Sequence, residues 1–194
     1  MRVIAGVAKG RRLRALRGRT LRPTADRVKE ALFSMLQSRF DLEEAALLDL
    51  FAGTGALGIE GLSRGAARAV FVEQDAAARR VLEANLALCG FAARSRVLPL
   101  PARRAISELG ARGERFAGAL LDPPYGRGLA DAALSQLAAA GIVQPGGWVA
   151  VEHHLDDVLA KAYGPLQLTA TRRYGKTAVA LFTDLRMVEQ AAAS

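Results

Sequence analysis

Cysteine is almost missing from this chain of 194 residues: Cys89 stands alone, so neither an intrachain disulfide nor a cysteine-based zinc framework can form. Histidine is nearly as scarce. His153 and His154 are the only two, and as strand neighbours they would point to opposite faces, so no metal site is expected. Cys89 falls in a helical pattern near Leu82, Leu86 and Phe91, which marks it as a small packing residue rather than a nucleophile. No apolar run approaches the roughly 20 residues that cross a bilayer, and the N-terminus lacks the apolar stretch of a signal peptide. A cytoplasmic protein that does not touch membranes is expected.

Acidic residues are absent from the beginning of the chain. Up to Arg22 it carries Arg2, Lys9, Arg11, Arg12, Arg14, Arg17, Arg19 and Arg22, and these eight basic groups equal the whole net charge of +8. The remainder is balanced. A basic arm on a neutral body is the footprint of nucleic-acid binding, because each phosphate it neutralises releases counterions. Val3, Ile4, Val7, Leu13 and Leu16 interleave with the charges, and Gly6 and Gly10 punctuate them, so a small β-hairpin is expected in place of a solvated tail. The expected organisation is a basic nucleic-acid-binding arm over residues 1–22 and one globular domain over residues 23–194. The chain is long enough to bury a substantial core.

Pro23-Thr24 opens a helical pattern that places Val28, Leu32, Phe33, Leu36 and Phe40 on one face, with Thr24 as its cap. Strands and helices then alternate. Strands are expected at residues 46–50, 68–73, 96–100, 116–122 and 147–153, and helices at 57–64, 76–89, 102–109, 129–139 and, briefly, near Asp157. Such alternation implies a parallel sheet covered on both faces. The chain ends differently: two β-rich runs, 166–173 and 177–183, flank Tyr174-Gly175-Lys176 and read as a hairpin. An Ala-rich end, residues 191–194, is expected to fray. The expected fold class is α/β and Rossmann-like: a doubly wound, mostly parallel, seven-stranded sheet with a terminal antiparallel hairpin and a small N-terminal β-hairpin extension, an arrangement found in class I methyltransferases.

Gly53-Thr54-Gly55-Ala56-Leu57-Gly58 follows the first strand and opens a helix, where backbone N–H groups can approach a nucleotide-like cofactor. The pattern also fits a dinucleotide fingerprint, with Glu73 where a ribose-binding acid belongs. Asp49 shifts the balance toward S-adenosylmethionine, because its carboxylate can reach a methionine ammonium that nicotinamide cofactors lack. A structural role capping the turn is open to the same residue. A carboxylate at Glu73 costs solvation unless paired, and ribose hydroxyls would pair it. Gln74 can reach the adenine side or face solvent.

Asp122-Pro123-Pro124-Tyr125 ends the strand that begins at Phe116. An exocyclic amine on a purine is a poor nucleophile because its lone pair is delocalised into the ring. The Asp122 carboxylate and the Pro123 carbonyl can each accept one of its N–H groups and turn that lone pair toward an incoming methyl. Pro123 and Pro124 stiffen the backbone that holds the acceptors, and Tyr125 can stack on an extruded base. Asp122 can take the released proton, or water can. Methylation of cytosine at C5, which needs a thiolate, does not suit a chain whose one cysteine is a packing residue.

These residues resemble the RsmD family, the 16S ribosomal RNA guanine-N2 methyltransferases, along nearly the whole chain. Arg2-Val3-Ile4-Ala5-Gly6 with Lys9-Gly10-Arg11-Arg12-Leu13 looks like the family's opening hairpin. Leu21-Arg22-Pro23-Thr24-Ala25-Asp26-Arg27-Val28-Lys29-Glu30-Ala31-Leu32-Phe33 is similar to its most distinctive segment, and Arg173-Tyr174-Gly175-Lys176-Thr177 to its terminal turn. Asp49-Leu50-Phe51-Ala52-Gly53-Thr54-Gly55-Ala56-Leu57-Gly58-Ile59-Glu60 and Asp122-Pro123-Pro124-Tyr125 match its cofactor and catalytic motifs. The resemblance implies transfer of a methyl group from S-adenosylmethionine to N2 of guanine 966 in 16S rRNA, within the small ribosomal subunit or its assembly intermediate, by a monomer. It implies Asp122, Pro123, Pro124 and Tyr125 as catalytic residues. Asp49, Phe51, Ala52, Gly53, Thr54, Gly55, Glu73, Gln74, Ala102 and Asp122 would bind the cofactor. Lys9, Arg11, Arg12, Arg14, Arg22 and Arg27 would bind RNA, Arg22 and Arg27 facing either a phosphate or the cofactor carboxylate. The chain departs from the family at Pro101-Ala102, where a polar residue usually binds adenine, so that contact is expected from backbone near Ala102. Two other readings use the same motifs, a DNA adenine-N6 methyltransferase and a ribosome-assembly RNA binder without activity.

Overall fold

The computed structural model describes residues 1–16 and 23–186, and the chain divides into two compact units, Met1–Pro101 and Ala102–Ser194. Arg22, the Thr24 side chain and the Ala-rich end lie outside the described residues.

In the first unit, helix α1 (Pro23–Gln37) buries Val28, Leu32, Phe33 and Leu36, as its spacing requires, while Phe40 past its end is half-buried. Strands β1 (Ala46–Asp49) and β2 (Arg68–Val72) are almost wholly buried. That suits a parallel sheet whose two faces are covered. Strand β3 (Ser95–Leu98) completes the order β3-β2-β1, with Leu48 opposite Val70 and Val70 opposite Arg96. Helix α2 (Ala56–Ser63) follows β1, and α3 (Ala76–Cys89) follows β2. The Asp75 carboxylate caps α3 by accepting Ala78 N–H at 2.7 Å, and Gly90 ends it in the left-handed conformation. Cys89 is buried on this helix and is not in a disulfide.

The basic N-terminal segment is the hairpin its apolar residues imply. Val3 N donates to Arg11 O at 3.0 Å, Gly10 N to Val3 O at 2.9 Å, and Arg2 bridges Arg12 in antiparallel fashion. Val3, Ala8 and Leu13 are buried, and Lys9, Arg11, Arg12 and Arg14 are exposed. What fastens the hairpin is a charge that its own sequence does not contain. Glu60 on α2, with no exposed surface, accepts Ile4 N–H at 2.8 Å and Ala5 N–H at 3.0 Å, and pairs with Lys29 Nζ at 3.2 Å and Arg64 Nε at 2.8 Å. Lys29 in turn donates to Arg2 O at 2.6 Å. Ser63 Oγ accepts Ala8 N–H and donates to Ala5 O, at 3.0 and 2.5 Å.

In the second unit, α4 (Ala102–Ala111), β4 (Phe116–Leu121), α5 (Leu129–Ala140) and β5 (Val143–His154) alternate as expected. Strand β5 begins four residues before the expected 147. The backbone runs through Pro145-Gly146-Gly147 as a bulge: Val143 pairs with Phe116 and Trp148 with Gly118. The expected helix near Asp157 does not form. The Asp157 carboxylate accepts His154 N–H and Gly126 N–H, each at 3.2 Å, and these bonds hold a turn in its place. Strands β6 (Ala162–Tyr163), β7 (Leu166–Tyr174) and β8 (Thr177–Asp184) complete the order β4-β5-β8-β7-β6. β4 and β5 are parallel; β8 is antiparallel to both β5 and β7, which makes the terminal hairpin. Eight strands are therefore described rather than seven, the addition being the two-residue β6. Among the described residues, no helix is long and apolar enough to cross a membrane.

Removing one partner of a buried ion pair strands the other charge without compensation, at about 3–5 kcal/mol. Glu60→Ala should destabilise the protein by that amount in urea unfolding, whereas an exposed change such as Glu83→Ala should alter stability by less than about 0.5 kcal/mol.

Candidate active site

Within the first unit, β1 delivers Asp49 to the start of the turn, and the turn closes on itself. Ala52 N donates to Val72 O at 3.0 Å, and Gly55 N to Ala52 O at 2.7 Å. Gly55 has φ of +86°, a conformation that favours glycine. Gly58 is needed for room: a Cβ there would lie 2.3 Å from the Phe71 ring and 3.0 Å from Asp49 Oδ2. Phe51, Gly53 and Thr54 are half-buried, and Ala52 and Gly55 buried.

Two acids frame this turn differently. Asp49 is 1% exposed, and its Oδ2 accepts Gly58 N–H at 2.9 Å, which is the capping role open to it from sequence. Burial pushes its pKa from 3.8 to about 7, against the Gly58 hydrogen bond and with a smaller push from the Glu73 charge. Glu73 follows β2 half-buried, and backbone pairs it: Oε2 accepts Gly53 N–H and Oε1 accepts Asp75 N–H, each at 2.8 Å. Gln74 is exposed, and its carbonyl accepts from Arg79 at 2.7 Å. Asn85 was not signalled by any motif. Fully buried on α3, it donates to Thr54 O at 2.9 Å.

Within the second unit, Asp122 leaves β4 exposed, Pro123 is buried, and Pro124 and Tyr125 are exposed. The Tyr125 hydroxyl donates to Glu152 Oε1 at 2.9 Å, and it also bonds the Thr177 side chain. Its ring centroid lies 6.0 Å from that of His154. Burial, the Glu152 charge and the Asp122 charge all raise the Tyr125 pKa, so the phenol keeps its proton. Burial likewise raises the Glu152 pKa, against the hydrogen bond from Tyr125. Asp157 fixes Gly126, the residue next to the ring. Glu152 and Asp157 thus brace the Asp-Pro-Pro-Tyr segment, and neither belongs to a recognisable motif. Ala102, expected near adenine, opens α4 in this unit after an exposed Pro101.

Lys9, Arg11, Arg12 and Arg14 share the hairpin, and the Arg11 guanidinium bonds Leu88 O. Arg27 is exposed on α1. Among the described residues no group of His, Cys, Asp and Glu could hold a metal ion.

The family model described as "Conserved hypothetical protein 95" matches residues 1–183. The chain is 38% identical to Ribosomal RNA small subunit methyltransferase D of Escherichia coli (strain K12), over 78% of this chain and 71% of that protein. The chain belongs to the RsmD family of methyltransferases. It is also 38% identical to YlbH of Bacillus subtilis (strain 168), across 94% of this chain and 98% of the relative. Its fold matches the structure of yhhF from Escherichia coli with a TM-score of 0.84 at 34% identity, covering 95% of this chain and 98% of the other. The Rossmann-like methyltransferase fold expected from the alternation of strands and helices is the fold of this chain.

Because the Asp49 pKa is raised on folding, its contribution to stability is fully present below pH 3.8 and is lost as the pH climbs through about 7. Urea unfolding across that window should show Asp49→Asn less dependent on pH than the wild type, with the two curves converging toward the acid end.

Proposed function

We propose that this protein transfers a methyl group from S-adenosylmethionine to the exocyclic N2 amine of guanine 966 in 16S rRNA. The observation that carries this reading is Asp122-Pro123-Pro124-Tyr125, an exposed acid and an exposed ring held by a stiff, braced segment at the end of β4. The rRNA target follows from family membership and from the printed name of the Escherichia coli relative.

The residues of the turn suit the cofactor. Asp49 is a buried acid with a raised pKa, the partner that the ammonium of a methionine moiety would ionise. Each Glu73 oxygen already accepts one backbone N–H and has lone pairs left for ribose hydroxyls. At Gly53 no atom lies within 4 Å of where a Cβ would stand, so the backbone there can be approached closely. Phe51, Ala52, Thr54 and Gly55 complete the cradle, with Gln74 and Ala102 assigned to the adenine end. When bound, S-adenosylmethionine supplies an electrophilic methyl group on a sulfonium.

The acceptor is prepared by the chain itself. Asp122 and the Pro123 carbonyl take the two N–H groups of the amine, which leaves its lone pair directed out of the base plane. Tyr125 stacks on the base, its hydroxyl tethered to Glu152 so that the ring is set before RNA arrives. As the amine takes the methyl group that a bound S-adenosylmethionine would supply, leaving S-adenosylhomocysteine, its proton would go to Asp122 or to water. Residues 1–22 form the RNA-binding arm, through Lys9, Arg11, Arg12, Arg14 and Arg22 with Arg27 beyond it, and residues 23–194 form the methyltransferase domain. The protein works as a cytoplasmic monomer on the small subunit or its assembly intermediate, without a metal.

Labelled methyl from S-adenosylmethionine should appear as N2-methylguanosine in small-subunit rRNA, and Asp122→Ala should lower the rate by at least about 10²-fold. N6-methyladenine in duplex DNA would instead identify a DNA enzyme, and RNA binding without label would identify an inactive binder.

S-adenosylhomocysteine, which keeps the ammonium, should release a proton from Asp49 on binding at pH 6. Calorimetry in buffers of different ionisation enthalpy should detect that proton in the wild type and not in Asp49→Asn.

A further inference from the structure

Asn85 lies in the middle of α3, where its neighbours one turn away, Leu82 and Cys89, are buried apolar residues. An asparagine is a poor choice there, since it disfavours the helix and brings a polar group into the core. Its amide is nevertheless fully used. Oδ1 accepts Arg14 N–H at 2.8 Å, while Nδ2 donates to Arg14 O at 3.1 Å and to Thr54 O at 2.9 Å. One side chain therefore holds both backbone groups of a residue in the basic hairpin together with a carbonyl of the cofactor turn.

The bond to Thr54 does more than occupy a carbonyl. The peptide joining Thr54 to Gly55 is planar, so fixing the Thr54 C=O also fixes the Gly55 N–H. That N–H closes the turn on Ala52 O at 2.7 Å. On the other side, Arg11, Arg12 and Arg14 carry exposed cations on the strand that Asn85 grips. Glu60 and Ser63 hold residues 4, 5 and 8 of the hairpin independently, so the Arg14 end has its own tether.

We infer that Asn85 is a positioning residue that couples RNA on the basic hairpin to the cofactor turn. Phosphates neutralising Arg11, Arg12 and Arg14 settle the strand at Arg14, which orders the Asn85 amide and with it the peptide of Thr54 and Gly55. A turn ordered in advance loses less freedom when the cofactor enters, so the two ligands favour each other. The coupling is reciprocal by thermodynamic necessity. This inference rests on the reading of the turn as the cofactor site and of the hairpin as the RNA site.

The test is the affinity for S-adenosylhomocysteine measured by calorimetry, with and without a saturating 16S rRNA fragment, on wild type, Asn85→Ala and Asn85→Asp. Asn85→Asp keeps the acceptor for Arg14 N–H and loses both donors. RNA should tighten the wild-type affinity by at least about fivefold, and in both variants the effect should fall to within about twofold of none. A merely structural asparagine would weaken each binding alone and leave the ratio intact, so coupling retained in the variants overturns the inference. Equal wild-type affinity with and without RNA overturns it with no variant needed. Failure of the wild type to bind S-adenosylhomocysteine at all would instead overturn the cofactor reading beneath it.

Discussion

The first unit depends on one carboxylate. Glu60 is sealed from solvent, and an isolated charge there would cost several kcal/mol of lost hydration. It is tolerable because two backbone N–H groups, a lysine and an arginine all point at it, from residues 4, 5, 29 and 64. The same arrangement settles how the N-terminal hairpin behaves. A segment with this density of cations would repel itself as a free tail, but here its backbone is bound to an anion in the body and its apolar Val3, Ala8 and Leu13 are buried. Its charged side chains are left on the outside, where a polyanion can reach them. Burial of Lys29 pulls its pKa down, against the charge and the hydrogen bond of the adjacent Glu60.

Acids in and around the glycine turn after β1 stand in three conditions. Glu60 is buried and fully partnered. Asp49 is buried with its Oδ2 on the Gly58 amide, and carries a strongly raised pKa. Glu73 is half-buried and holds the turn at Gly53. A cationic ligand beside Asp49 would lower that raised pKa. The bonds that hold this turn run to β2, α2 and α3 rather than within the loop alone.

Much of this was legible in the sequence, and the losses have physical causes. Helical spacing in α1 and apolar runs in β1, β2 and β4 determined those elements because burial leaves a periodic trace. The early start of β5 left no trace because Pro145, Gly146 and Gly147 are poor strand residues, and only pairing with β4 carries the backbone through them. Asp157 misled because its carboxylate ties a loop to Gly126, a partner 31 positions away. The acid expected to need ribose for pairing, Glu73, had backbone partners that no side-chain pattern records. Lys29 and Glu60 did leave a signal. Glu60 is the only charge in the otherwise apolar α2, and a lone charge on such a helix must find a buried partner. Asn85, Glu152 and Asp157 left none, since each acts on backbone or on one distant hydroxyl.

Folding and chemistry make different demands on polar residues, and the difference separates the two groups found here. Glu60, Lys29, Ser63 and Asn85 are buried, and each is accounted for by bonds that hold segments together. Asp122 and Tyr125 are exposed, so neither contributes an apolar side chain to the core. Yet a buried proline, Pro123, a half-buried carboxylate, Glu152, and one oxygen of Asp157 keep that segment in place. Bracing an exposed ring to this extent does little for stability, because the ring buries too little surface to return the conformational entropy lost in fixing it. The bracing fits the proposed function, in which a flat nucleobase meets the ring in one orientation.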